Sequence, residues 1–161
     1  MESRKNGLNA ISSIEYLMKR QLFFGHFLTL SFGVFIYLFF RVPTLKIFSW
    51  MEVIGINFRD FQIRKITYEF GKQLPDCFLY SLPDGIWIFS YITFILAIWK
   101  NKISRDNIIW IIVIPLMAVI SEIGQITKIV PGTFDVTDVV FYFLGFLGPI
   151  LIFKKEINLK R

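Results

Sequence analysis

Residues 108–153 read IIWIIVIPLMAVISEIGQITKIVPGTFDVTDVVFYFLGFLGPILIF and contain two long apolar runs separated by a short polar turn. A helix needs about 20 predominantly apolar residues to cross about 30 Å of hydrocarbon, and each run approaches this length. Pro131 and Gly132 lie between the runs, and this pair is typical of a tight turn. The stretch therefore predicts two antiparallel membrane-spanning helices, at about 108–129 and 136–153.

The composition places the whole chain in the same class. It is 55% hydrophobic and 18% aromatic but only 19% charged, with a mean hydropathy of +0.58. Soluble domains are about 45–50% apolar and about 25% charged. Two further apolar runs predict spans at about 22–40 and 80–99. We expect an all-α membrane protein of one domain, residues 1–161, whose four transmembrane helices form an antiparallel bundle.

The segment before the first span is predicted to be a short amphipathic helix. Leu8, Ile11, Ile14 and Leu17 recur every third residue in an otherwise polar stretch. A polar helix with one apolar face is typical of helices that lie in the plane of the membrane surface. We therefore expect an N-terminal amphipathic surface helix.

Residues 41–79 are predicted to form a long extracytoplasmic loop between the first two spans. Within this loop, residues 42–58 are apolar enough to raise the alternative of a fifth span, but Lys46 and Glu52 interrupt the run. We expect this segment to lie on the membrane surface instead. Aromatic side chains suited to the headgroup layer are Phe48, Trp50 and Phe58.

The distribution of Lys and Arg predicts the orientation. The short link after the second span carries Lys100, Lys102 and Arg105, and both termini are also basic. Because Lys and Arg are enriched in cytoplasmic loops, both termini are predicted to lie in the cytoplasm, with the chain in a bacterial inner membrane. The sequence pI of about 9.5 is then explained by contact with anionic membrane lipid and not by nucleic-acid binding.

This topology brings polar side chains to the outer ends of the last three spans, namely Asp84, Glu122, Gln125, Asp135 and Asp138. Glu122 lies about 12 Å below the outer turn at 1.5 Å per residue, and Gln125 lies one turn closer to the surface on the same face. A carboxylate at a span centre costs about 2.5–3.5 kcal/mol on insertion scales and is a functional candidate. We therefore predict an outward-facing polar funnel that binds a ligand, without a metal or cofactor.

Three of these carboxylates have a structural alternative. Asp84, Asp135 and Asp138 lie at predicted helix starts, where a carboxylate accepts hydrogen bonds from free backbone N–H groups and complements the helix dipole. Glu122 is too deep to act as such a cap. His26 is predicted to be an interior histidine with its hydrogen bonds satisfied, and Cys77, the sole cysteine, excludes an intramolecular disulfide.

Residues 122–145 carry the pattern E-x-x-Q, then P-G, then D-x-x-D and a glycine. This pattern resembles the VanZ-like family, small bacterial multi-pass membrane proteins associated with teicoplanin resistance. Glu122, Gln125, Asp138 and Gly145 fall on the family's positions. The resemblance implies a role in the cell envelope and in glycopeptide-antibiotic tolerance.

The resemblance covers residues 82–148 and identifies the chain as a divergent member. Asp84 resembles the family's acid at the outer start of an earlier span. Tyr142 stands where the family commonly has Asn, Ile88 stands where it often has His, and residues 131–133 lack the usual Arg of the turn. The family has no settled biochemical mechanism, so the resemblance supplies a location for function and no reaction.

Three functions are compatible with these features. We expect a membrane protein that binds a lipid or lipid-linked cell-wall molecule, and a homo-oligomer is left open. The first alternative is an intramembrane acid–base or metal-assisted enzyme that uses Glu122 with Asp138 or Asp84. Against it, the sequence contains no paired-His metal motif, nucleophile elbow or phosphate-binding glycine loop. The second alternative is a small proton-coupled transporter in which Glu122 carries the proton.

Overall fold

A computed structural model describes residues 15–154 and the backbone of residues 158–159. These residues are mostly helical. In chain order, the helices are α1 (Glu15–Phe40), α2 (Lys46–Val53), α3 (Gln62–Gly71), α4 (Cys77–Ile98), α5 (Ile108–Ile126) and α6 (Val136–Ile152). By length and composition, α1, α4 and α5 could each cross a membrane, and α6 is a shorter apolar helix. Three to four apolar helices that could span a membrane are therefore present.

The predicted spans agree with these helices except at their ends. The α1 helix already begins at Glu15, and α5 ends at Ile126 instead of residue 129. The earlier end has a local cause, because the Gly124 carbonyl accepts hydrogen bonds from the backbone of both Ile129 and Val130. Such closing bonds satisfy the last carbonyls of a helix and stop it. The predicted surface helix at residues 8–17 lies largely outside the described residues.

The α4 helix is the centre of the fold. In the most apolar 18-residue segment of α4, half is buried, compared with 11% of the corresponding segment of α1 and 17% of that of α5. Glycines bring its neighbours close to it: a Cβ atom at Gly145 would lie 2.2 Å from the Gly85 carbonyl oxygen, and one at Gly33 would lie 2.7 Å from Trp87 Nε1. Small residues thus let α1 and α6 pack closely on α4.

Residues 41–76 form a folded unit, which we call the cap, at one end of the long helices, the cap end. The cap contains α2, a 3₁₀ turn (Phe58–Asp60) and α3. With eight residues, α2 is about 12 Å long and too short to cross a membrane. Phe48 is buried and stacks on Phe58 inside the cap, so the prediction that Phe48 lies in the headgroup layer is wrong. Trp50 is exposed, as that prediction requires.

A buried amide pair joins α1 to the link between α4 and α5 at the opposite end. Gln21 Nε2 donates to Asn101 Oδ1 and Asn101 Nδ2 donates to Gln21 Oε1, both at 3.0 Å. Beside it, Lys102–Ile103 (β1) pairs in parallel with Asn158–Leu159 (β2). The amide pair ties the start of α1 to the end of α4.

Candidate functional site

The Glu122 carboxylate joins α5 to α6. Oε1 accepts hydrogen bonds from Gln125 Nε2 at 3.0 Å and from the Tyr142 hydroxyl at 3.3 Å. Oε2 accepts one from the backbone N–H of Asp135 at 3.3 Å. Glu122 is only 3% exposed, and these bonds replace the water that the carboxylate loses on burial. Glu122 therefore has a structural role, and the sequence did not predict its contacts with Asp135 and Tyr142.

The turn between α5 and α6 folds back over Gln125. Gly132 has a φ of +142°, a conformation that a residue with a Cβ rarely adopts. A Cβ atom at this position would also lie 2.8 Å from Gln125 Oε1. Gln125 thus lies between the turn and Glu122, and the predicted common face of Glu122 and Gln125 is confirmed by their hydrogen bond.

The carboxylates at the helix starts differ in what they bind. Asp135 is the N-cap of α6, and its Oδ1 accepts a hydrogen bond from the backbone N–H of Thr137 at 2.8 Å. The capping alternative is therefore confirmed for Asp135. Asp138 lies in the first turn of α6, and Asp84 lies in the first turn of the α-helical part of α4, Leu82–Ile98. The helix dipole favours a carboxylate at both positions.

Three helices bring their carboxylates together at the cap end. Asp84, Glu122 and Asp138 lie close enough for their charges to act on the Tyr142 hydroxyl. The positive charge of Arg41, just after α1, acts on Asp84. We call Arg41, Asp84, Glu122, Asp138 and Tyr142 the polar cluster. The structure thus brings together Asp84, Glu122 and Asp138, as predicted, and adds a cation and a phenol to them.

Arg41 is held between two aromatic rings. Its guanidinium carbon lies 4.8 Å from the ring centroids of both Tyr37 and Tyr80. Such cation–π contacts favour a fixed orientation of the planar guanidinium. The sequence analysis did not include Arg41 among the candidate site residues, although its place directly after an apolar run indicated a helix end. Tyr142 was noted only as a departure from the family pattern, although it lies one turn from Asp138 on the same face.

Polar atoms in this region are buried without a hydrogen-bond partner among the residues that the structure describes: Asp138 Oδ1, Arg41 Nε and Ser81 Oγ. Buried polar atoms are nearly always paired, and an unpaired one costs about 1–3 kcal/mol. Ser81 directly precedes the α-helical part of α4 and is 1% exposed. The polar cluster therefore retains hydrogen-bonding capacity that the described part of the protein does not use.

An apolar groove of about 640 Å³ runs between α1, α4 and α6. Its lining includes Phe32 from α1, Ile86 and Phe89 from α4, and Phe141 and Leu144 from α6. The close contact of Gly85 with Gly145 forms part of the same lining. Because Asp84 precedes Gly85 in sequence and Phe141 follows Asp138 by one helical turn, the groove and the polar cluster lie at similar heights along α4 and α6.

His26 and Cys77 lie apart from the polar cluster. His26 Nδ1 is 2.7 Å from Ser90 Oγ and its ring packs on Phe94. The predicted hydrogen-bond partner is therefore confirmed, and the ring is half-buried. Cys77 is a free, half-buried thiol at the start of α4. Within residues 15–154, no group of three or more His, Cys, Asp and Glu side chains has a geometry that could hold a metal ion.

No protein-family model matches the chain, and no curated protein or solved structure is significantly similar to it. The resemblance to the VanZ-like family therefore depends on the sequence pattern alone and stays a prediction. The geometry of the polar cluster and of the groove carries the functional argument instead.

Proposed function

We propose that the chain binds a lipid or lipid-linked envelope molecule at its cap end, with the headgroup at the polar cluster and an acyl chain in the groove. The observation that carries this proposal is the buried, unpartnered Oδ1 atom of Asp138. Asp138 lies one helical turn from Phe141, which lines the groove. A single amphipathic ligand can therefore contact both features.

The chemistry of the cluster favours a particular headgroup. The carboxylates of Asp84 and Asp138 accept hydrogen bonds from hydroxyl or ammonium groups. The Arg41 guanidinium, which lies within electrostatic reach of Asp84, binds phosphate oxygens well. A phospholipid headgroup that carries hydroxyl or amino groups satisfies both requirements. Glu122 positions Asp135 and Tyr142 through its hydrogen bonds, and it is not assigned to the ligand.

The groove fits the other half of such a ligand. Ligand sites are commonly clefts of about 300–1,000 Å³ between helices, lined mainly by apolar side chains with a few polar groups. At about 640 Å³ the groove falls in this range. Its position between α1, α4 and α6 exposes it to the acyl chains of the bilayer, so a lipid tail enters it without first crossing water.

The topology and the family assignment belong to the same proposal. We place the protein in a bacterial inner membrane as four antiparallel spans, α1, α4, α5 and α6, with both termini in the cytoplasm and the cap outside. The basic link at residues 100–105 supports this orientation. A divergent VanZ-like assignment implies a contribution to glycopeptide-antibiotic tolerance, which is measured as the teicoplanin susceptibility of cells with and without the gene. The intramembrane enzyme and the proton-coupled transporter stay predictions.

Lipid analysis of the protein purified in a mild detergent tests the binding proposal. Mass spectrometry compares the lipids retained by the wild type, Asp138→Asn and Asp135→Asn with the lipids of the source membrane. We expect the wild type and Asp135→Asn to retain one lipid class in excess, because Asn also caps helices, and Asp138→Asn to lose this excess. If all three proteins retain lipids in membrane proportions, the proposal fails.

A further inference from the structure

The α3 helix of the cap lies across the end of α1. Thr67 Oγ1 donates a hydrogen bond to the Phe39 carbonyl and Arg64 Nη2 donates one to the Arg41 carbonyl, both at 2.8 Å. Carbonyl groups in the last turn of a helix have no partner within that helix, so α3 supplies the missing donors. These bonds hold α3 within one side-chain length of the point at which the α1 span ends.

The outward surface of α3 carries an apolar stripe. Ile63, Ile66 and Phe70 are 65%, 65% and 55% exposed. Their spacing of three and four residues places them on one side of the helix. This side is separate from the side that packs on α1, which includes the buried Arg64. The α3 helix therefore has two different faces: one is buried against the protein, and the other is apolar and uncovered.

A charged face borders this stripe. Lys65, Glu69 and Lys72 are exposed, and at about 100° per residue they lie on the side of α3 between the stripe and the packed face. Lys72 Nζ contacts Glu69 Oε1 at 2.6 Å. This hydrogen bond raises the pKa of the Lys72 ammonium above its usual value and so favours its charged form.

The α2 helix adds a second apolar surface to the cap. Trp50, Val53 and Ile54 are exposed and are again spaced by three and four residues. Phe48, on the opposite side of α2, is buried against Phe58. The α2 helix therefore directs one apolar side into the cap, and both cap helices leave an apolar side uncovered.

We propose that the cap is a membrane-surface module whose stripe, Ile63, Ile66 and Phe70, together with Trp50 and Val53, rests in the boundary between lipid headgroups and acyl chains. Helices with this pattern lie in the membrane plane with the apolar face about 5–10 Å into that boundary. Because α3 is attached to the end of α1, where this span leaves the membrane, the stripe lies at the level of the boundary between headgroups and acyl chains. Lipid fits better than a second copy of the chain, because Lys65 and Lys72 beside the stripe attract phosphate groups.

Depth measurements on spin-labelled protein test this proposal. The background variant is Cys77→Ala, which removes the sole cysteine, and single cysteines are then introduced as Ile66→Cys, Val53→Cys and Glu69→Cys. All three positions are exposed, so the labels do not disturb packing. Each labelled protein is reconstituted into phosphatidylglycerol-containing vesicles, and its electron paramagnetic resonance saturation is recorded with oxygen and with a water-soluble nickel chelate.

We expect the labels at positions 66 and 53 to collide with oxygen and to be shielded from the nickel chelate, as lipid-immersed groups are. The label at position 69, on the charged face, should show the opposite preference. Equal access of the chelate to positions 66 and 69 would overturn the proposal, because the stripe would then lie in water. Shielding of position 66 from both reagents would also overturn it, since a protein surface would then cover the stripe. These outcomes do not depend on which ligand binds the polar cluster.

Discussion

The Tyr142 hydroxyl and the Glu122 carboxylate are hydrogen-bonded across the interface of α5 and α6, with an oxygen-to-oxygen distance of 3.3 Å. Both residues are buried, and the two helices that they join follow each other along the chain through the turn at residues 127–135. The bond therefore contributes to the docking of α5 on the rest of the protein. It also holds a phenol among the carboxylates of the polar cluster.

Replacement of the hydroxyl measures this contribution. Tyr142→Phe should lower the free energy of unfolding by about 0.5–1.5 kcal/mol, the usual net value of one hydrogen bond. The measurement is equilibrium unfolding of the purified protein in detergent, followed by circular dichroism. Tyr80→Phe, at an exposed tyrosine of the same end, is the control and should leave the unfolding midpoint unchanged.

Replacement of the acceptor should cost more. In Glu122→Gln, an NH₂ group takes the place of one carboxylate oxygen. This group then faces another hydrogen-bond donor, either the Asp135 N–H or the donors of Gln125 and Tyr142, and the hydrogen bonding on that side is lost. We expect a loss of about 1–3 kcal/mol, the cost of a buried polar group without a partner. A Glu122→Gln protein as stable as the wild type would show that these bonds do not hold α5 in place.

The contact between α4 and α6 predicts a strong effect of one methyl group. Gly145→Ala places a Cβ atom 2.2 Å from the Gly85 carbonyl oxygen, and backbone atoms cannot move aside without separating the helices. Overpacking of this kind costs about 1–3 kcal/mol. Gly148→Ala is the matched control, because its Cβ meets the Phe89 ring at 2.9 Å and a side chain adjusts more easily. We expect the thermal midpoint to be highest for the wild type, lower for Gly148→Ala and lowest for Gly145→Ala. A lower midpoint for Gly148→Ala than for Gly145→Ala would contradict the close contact of α6 with α4 at Gly145.

The amide pair at the opposite end should behave as one unit. Gln21→Leu or Asn101→Gly alone leaves the other amide buried without its partner, at a cost of about 1–3 kcal/mol. Glycine is chosen at position 101 because Asn101 has a φ of 55°, which glycine adopts without strain. The double variant should lose less stability than the sum of the single variants. Strict additivity in this cycle would show that the two side chains do not interact.

The groove can be filled without a change to the polar cluster. Leu144→Trp adds volume to its lining, whereas Leu147→Trp adds the same volume at a neighbouring exposed position of α6. If an acyl chain occupies the groove, Leu144→Trp should lower the amount of lipid that remains bound during purification, and Leu147→Trp should not. Equal lipid retention by both variants would argue against the groove as the acyl-chain site.

Much of the fold could be predicted because its signals are local. The apolar runs indicated the ends of the long helices to within three residues, except that α1 begins at Glu15 and not at residue 22. The position of Asp135 before the last run indicated a cap that the structure confirms. The candidate site was predicted less completely. Asp84, Glu122 and Asp138 were placed together correctly, but Arg41 and the part played by Tyr142 were missed because their contacts connect different helices.

The amino-acid sequence alone was enough to identify the helical and apolar segments, since hydrogen bonds between residues four apart and side-chain hydrophobicity act over a few residues. The contacts of Glu122 with the backbone of Asp135 and with the hydroxyl of Tyr142 are visible only in the folded protein. These contacts depend on the angle and distance at which α5 and α6 cross, and the close approach of α6 to α4 at Gly145 helps to define both. A turn and a periodic pattern do not specify such a crossing, because many helix pairs share the same local signals.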